Sequence, residues 1–138
     1  MAYILLADTL MRQIFEKAAV HLRSRGHIVD ITVLAQEVLS YINNNVPDVL
    51  IFSYFLKDMD GFELRDELHK RYPDLKTKLI WMAALRSDGE PVFSWEMTDI
   101  SMFLPFPCSE WVVVLAVEQL LYRTVLGDLP QLENKNAS

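Results

Sequence analysis

The chain has 138 residues, of which 51% are apolar and 23% charged, a composition suited to one compact domain and wrong for a disordered chain. Its 19 acidic residues outnumber 13 lysines and arginines, for a net charge of −6. That balance argues against a nucleic-acid partner, because phosphate contact requires a basic face.

Tyr3 to Ala7 is a short apolar run, bounded by Asp8 and Thr9, polar residues suited to a helix entrance. Leu10, Met11, Ile14, Phe15, Ala18, Ala19 and Leu22 then recur every three or four residues. That is the stripe of an amphipathic helix, and Gly26 stops it. His27 to Val33 is rich in β-branched residues and predicts a strand. Val38, Leu39 and Ile42 predict a second helix, ended by Asn43, Asn44 and Asn45. Val49 to Phe52 is continuously apolar, as a central strand buried on both faces requires. Phe62, Leu64, Leu68 and Tyr72 outline a third helix, with Asp58 in the turn before it, Asp60 placed to cap it, and Pro73 closing it.

Leu79 to Ala84 is again apolar and strand-length. Between Leu85 and Asp99, Gly89 and Pro91 leave room only for a short helix near Val92 to Met97. Ser101 to Leu104 predicts a fifth strand, and Ser109 caps a final helix whose span, Trp111 to Val125, is apolar on more than one face. The composition turns polar after Gly127. Strand and helix alternate five times, which implies a parallel sheet with helices on both faces. A site is then expected at the carboxyl ends of the strands.

No apolar run approaches the ~18 residues of a membrane span. The N-terminus lacks the basic flank and cleavage site of a signal peptide. Cys108 is the single cysteine and cannot close an internal disulfide, so a cytoplasmic setting is expected. With four glycines, no Gly-x-Ser-x-Gly elbow and no phosphate-cradling loop, the chain is not expected to be an enzyme.

Four segments resemble the receiver domain of two-component response regulators: ILLAD at Ile4–Asp8, PDVLIFSYFLKDMDG at Pro47–Gly61, LIWMAA at Leu79–Ala84 and FLPFP at Phe103–Pro107. The resemblance runs from about Ala2 to Tyr122 and implies a flavodoxin-like (βα)5 fold of strand order 2-1-3-4-5. A receiver-like domain would span 1–126 and a C-terminal tail 127–138. Working receivers carry a phosphoryl group on an aspartate at the end of the third strand. Two acids after the first strand help hold Mg²⁺, and a hydroxyl and a lysine after the fourth and fifth strands contact the phosphoryl oxygens.

Those roles fall on Ser53 for the acceptor, Asp8 and Thr9 for the acidic pair, Ala83 for the hydroxyl and Phe106 for the lysine. Four of the five have lost the required chemistry. A carboxylate nucleophile, hard oxygen ligands and a cation are each needed, and their joint loss marks a degenerate receiver without metal or cofactor. Ser53 reads as a small polar filler whose replacement by alanine is nearly neutral. Asp8 reads as a helix cap, Cys108 as an inert thiol, and Trp81 and Phe106 as core rings. Phe103 matches the family's switch aromatic, and opposite Ala83 it is expected to stay inward.

The family's fourth helix, fifth strand and fifth helix commonly form its dimer and output face. Here that region holds Val92, Phe93, Trp95, Met97, Trp111 and Tyr122. The expectation is a phosphorylation-independent interaction module in bacterial two-component-type signalling. Its partner would be another signalling protein, a second copy through that face, or both, with no nucleic acid and no membrane. The alternative is a receiver still regulated through a substitute acid, Asp58 or Asp60, or a bound small molecule.

Overall fold

The structure is a computed structural model and describes residues 1–84 and 99–125. Five strands, β1 (Tyr3–Ala7), β2 (Ile28–Thr32), β3 (Val49–Ser53), β4 (Lys78–Ala84) and β5 (Met102–Phe106), alternate with helices α1 (Arg12–Ser24), α2 (Ala35–Asn44), α3 (Gly61–Arg71) and α4 (Glu110–Val125). The strands pair in parallel in the order β2-β1-β3-β4-β5. The fold is therefore the expected flavodoxin-like sheet. The helix expected near Val92 to Met97 and the tail from 127 lie outside the described residues.

Alternation along each strand supplies two apolar layers. Ile4, Leu6, Val49, Ile51, Ile80, Met82 and Leu104 face α1 and α4. Leu5, Ala7, Leu50, Phe52, Leu79, Trp81 and Ala83 face α2 and α3. Because β1, β3 and β4 are covered on both sides, they read as unbroken apolar runs. Among the described residues, no helix is long and apolar enough to cross a membrane.

Two local details differ from the sequence expectation. The first helix begins at Arg12, and Leu10 belongs to an exposed turn ahead of it. Asp58 does more than shape its own turn. Its carboxylate accepts from the backbone N–H groups of Ala35 at 2.6 Å and Gln36 at 2.9 Å, so it caps α2 from a distant loop. Burial of Asp58 works the other way, but those backbone donors prevail and hold its carboxyl below the usual value. Asp60 caps α3 as expected, accepting from Glu63 N–H at 2.9 Å.

Candidate functional site at the carboxyl ends of the strands

Sheet register decides which residues meet. Ala7 pairs with Phe52, so Asp8 and Ser53 leave the sheet side by side. Ser53 pairs with Met82, and Ala84 with Phe106. Asp8 is 0% exposed and Ser53 1%. The Ser53 hydroxyl donates to Asp8 Oδ2 and accepts from Phe55 N–H at 3.0 Å. Asp8 Oδ1 accepts from the N–H groups of Leu10 at 2.6 Å and Met11 at 2.8 Å. The expectation for Asp8 is a cap on a helix starting at Thr9; instead α1 starts at Arg12 with Met11 as its N-cap and no side-chain cap, and Asp8 closes the turn ahead of it. Each carboxylate oxygen is thus already bound to a donor of the chain itself.

Burial pushes the Asp8 carboxyl above its ordinary value, and the hydroxyl of Ser53 and the N–H groups of Met11 and Leu10 only partly oppose this. A raised folded value favours the protonated form. The contribution of Asp8 to stability is therefore full below the ordinary value of 3.8 and is lost as pH rises through the raised one. Asp8→Asn keeps an oxygen for Leu10 and Met11 and removes the charge. Denaturant titrations should show the variant gaining on the wild type as pH climbs through that window, then a constant difference. Parallel profiles for the two proteins would refute the shift.

Mg²⁺ is the ion that a receiver fold implies, and the donors here do not fit it. The ion needs accessible hard oxygens. Asp8 offers no free oxygen, Ser53 supplies a hydroxyl in place of a carboxylate, and Thr9 Oγ1 is buried without a hydrogen-bond partner. Among the described residues, no group of three His, Cys, Asp or Glu side chains is placed to hold a metal.

Aromatic rings occupy the rest of this edge. Phe106 is partly buried, and its ring centroid lies 5.5 Å from that of Phe55. Tyr54 stands 5.6 Å from both Phe55 and Phe62, Phe62 stacks on Trp81 at 5.1 Å, and Trp81 meets Phe52 edge-on at 5.2 Å. Six rings thus run across the ends of β3, β4 and β5. Sequence reasoning named Trp81 and Phe106, placed Phe62 on the third helix without assigning it to this edge, and missed Tyr54 and Phe55. Their density around the loop after β3 was the available signal. Ala83 is buried in the layer that contains Trp81 and Phe52.

Phe103 departs from expectation: it is 45% exposed instead of inward. Met102, Leu104 and Phe106 take the α1–α4 side, which leaves Phe103 on the opposite face. There its register neighbour Trp81, 1% exposed, already fills the interior. Of the expected interaction surface, Trp111 and Tyr122 are exposed on α4. Val92, Phe93, Trp95 and Met97 lie outside the described residues. Cys108 is half-buried, and burial pushes its thiol up, which favours the protonated form.

Neither a protein-family profile nor a curated protein sequence matches the chain. Solved structures do. The signal receiver domain of a putative Luxo repressor protein from Vibrio parahaemolyticus superposes with a TM-score of 0.71 at 17% identity, over 91% of this chain and 93% of that one. A CheY-like response regulator receiver domain protein from Methanospirillum hungatei JF-1 gives 0.68 at 23% identity, over 92% and 99%. The receiver domain of the Francisella response regulator 1452 gives 0.71 at 23%, over 90% and 99%. The chain has the fold of a receiver domain. Identities this low carry the fold and not the chemistry, so the strand-end residues must be judged by their own geometry.

Proposed function

We propose that this chain is a pseudo-receiver, a phosphorylation-independent protein-interaction module of two-component-type signal transduction. The observation that carries the reading is the Asp8–Ser53 pair. The residue at the acceptor position is a buried serine, and both oxygens of the neighbouring acid are held by internal donors. Phosphoryl transfer to an aspartate needs a free carboxylate, a metal and a cation to take up the developing charge. Phe106 supplies a ring where the cation would be. The two acids nearby are already occupied, Asp58 at the N-terminus of α2 and Asp60 at that of α3. What remains is a folded surface, and its partner would be another signalling protein, a second copy, or both.

Incubation with acetyl phosphate and Mg²⁺, followed by intact-mass and peptide mass spectrometry, is expected to show no phosphoryl adduct. An adduct on Asp8, Asp58 or Asp60 would overturn the proposal in favour of a receiver regulated through a substitute acid.

A further inference from the structure

We infer that the loop between β3 and α3 is a strap over the strand ends, latched by Asp58, and that its lifting is the movable step of this site. The loop has the build of one. Gly61 N–H donates to Tyr54 C=O at 3.1 Å, which ties its two ends together. A loop closed at its base can lift without unravelling the strand before it or the helix after it. Phe55 and Leu56 are only partly buried, and Lys57 and Asp58 are exposed. Core packing therefore holds this stretch weakly, and its position rests on hydrogen bonds to other segments.

Those bonds cross the strand ends from one loop to the next. Phe55 N–H donates to Ser53 Oγ at 3.0 Å, and Phe55 C=O accepts from Thr9 N–H at 2.8 Å. The backbone of Phe55 thus lies across the buried Asp8–Ser53 pair. Lys57 N–H donates to Val33 C=O at 2.9 Å, in the loop after β2. Beyond Val33, the Asp58 carboxylate takes the N–H groups of Ala35 and Gln36. Leu34, the N-cap of α2, has no side chain that could serve those donors. The bonds to Asp58 are charge-assisted, roughly twice as strong as the neutral ones beside them, which makes this residue the latch. Its release uncaps α2 and leaves the strap on two neutral backbone bonds to its neighbours, from Thr9 and Lys57. Opening then lifts Phe55 from Asp8 and Ser53 and parts its ring from Phe106, whose centroid is 5.5 Å away. The strap closes the strand ends whether or not an acid there accepts a phosphoryl group, so this inference and the pseudo-receiver reading can fail separately.

Thiol labelling of the full chain with an aromatic disulfide reagent tests it. In a Cys108→Ser background, Ser53→Cys sets a thiol under the strap, and Ala18→Cys sets one in the core on the far side of the sheet. Position 53 is expected to label faster than position 18. Its rate should change little at low urea, because lifting a strap exposes little surface, whereas labelling at position 18 needs global unfolding and rises steeply. Adding Asp58→Ala should speed labelling at position 53 about tenfold to a hundredfold, the worth of hydrogen bonds to a charged group. Equal urea dependence at the two positions overturns the inference, since only global unfolding would then reach Ser53. So does a rate at position 53 indifferent to Asp58→Ala. Amide exchange followed by NMR gives a second reading with Ser53 in place. The N–H groups of Thr9 and Lys57 should exchange about tenfold faster or more in Asp58→Ala, and unchanged exchange there would also overturn the latch.

Discussion

Ser53→Asp, which places a carboxylate at the position proposed to match a receiver's acceptor, is expected to destabilise the protein by about 4 kcal/mol at pH 7 rather than create a switch. The new carboxylate would stand against Asp8 Oδ2, where a hydroxyl now donates. Two carboxylates in contact inside a buried site cannot both ionise, so one must hold a proton. Keeping a carboxylic acid protonated three pH units above its ordinary value costs about 1.4 kcal/mol per unit, which sets the figure. The paired groups would have raised folded values. Their penalty must therefore shrink as pH falls, to roughly 1–2 kcal/mol near pH 5. Urea denaturation at both pH values tests this, and a variant as stable as the wild type at pH 7 would mean the site accommodates a second charge. The structure also revises the expectation for Ser53→Ala. Loss of the hydroxyl leaves Asp8 Oδ2 buried without its donor, so a loss of roughly 1–3 kcal/mol replaces a neutral outcome.

Gly61→Ala should be comparably damaging, at about 3 kcal/mol or more. In a first helical turn this substitution ordinarily stabilises a protein by about 0.4–1 kcal/mol, through the unfolded chain. Here the added Cβ would lie 2.0 Å from the carbonyl oxygen of Ser53, 2.6 Å from its carbonyl carbon and 2.8 Å from Cη2 of Trp81. Two of those atoms are backbone in the central strand and cannot turn away. The start of α3 would have to lift, opening the Phe62–Trp81 stack and straining the bond from Gly61 N–H to Tyr54 C=O. A thermal melt reads the loss directly. An unchanged or higher melting temperature would show that α3 is not pressed against β3 as described.

Local chemistry made much of this protein legible in the amino-acid order alone. Apolar runs such as Val49–Phe52, the stripe of α1, the stop at Gly26 with its φ of 91°, and the Asp60 cap are short-range effects, set within a few residues of one another. The alternation of strand and helix then restricts the topology to a parallel sheet, because parallel strands need crossovers. The residue types at Ser53, Thr9, Ala83 and Phe106 were also visible, since sequence alone tells whether a carboxylate, hydroxyl or cation stands at a position. Only the tertiary structure could decide partnerships between distant segments. Asp8 and Ser53 are 45 residues apart, and the register of β1 on β3 makes them a hydrogen-bonded pair. Asp58 caps α2 across 23 residues. Phe103 is 45% exposed, on the face opposite Met102, Leu104 and Phe106, an outcome that the register and packing of β5 decide. The apolar excess of α4 divides into a buried face and an outward seam only when the sheet fixes which side of the helix is covered, because periodicity specifies faces while packing assigns them.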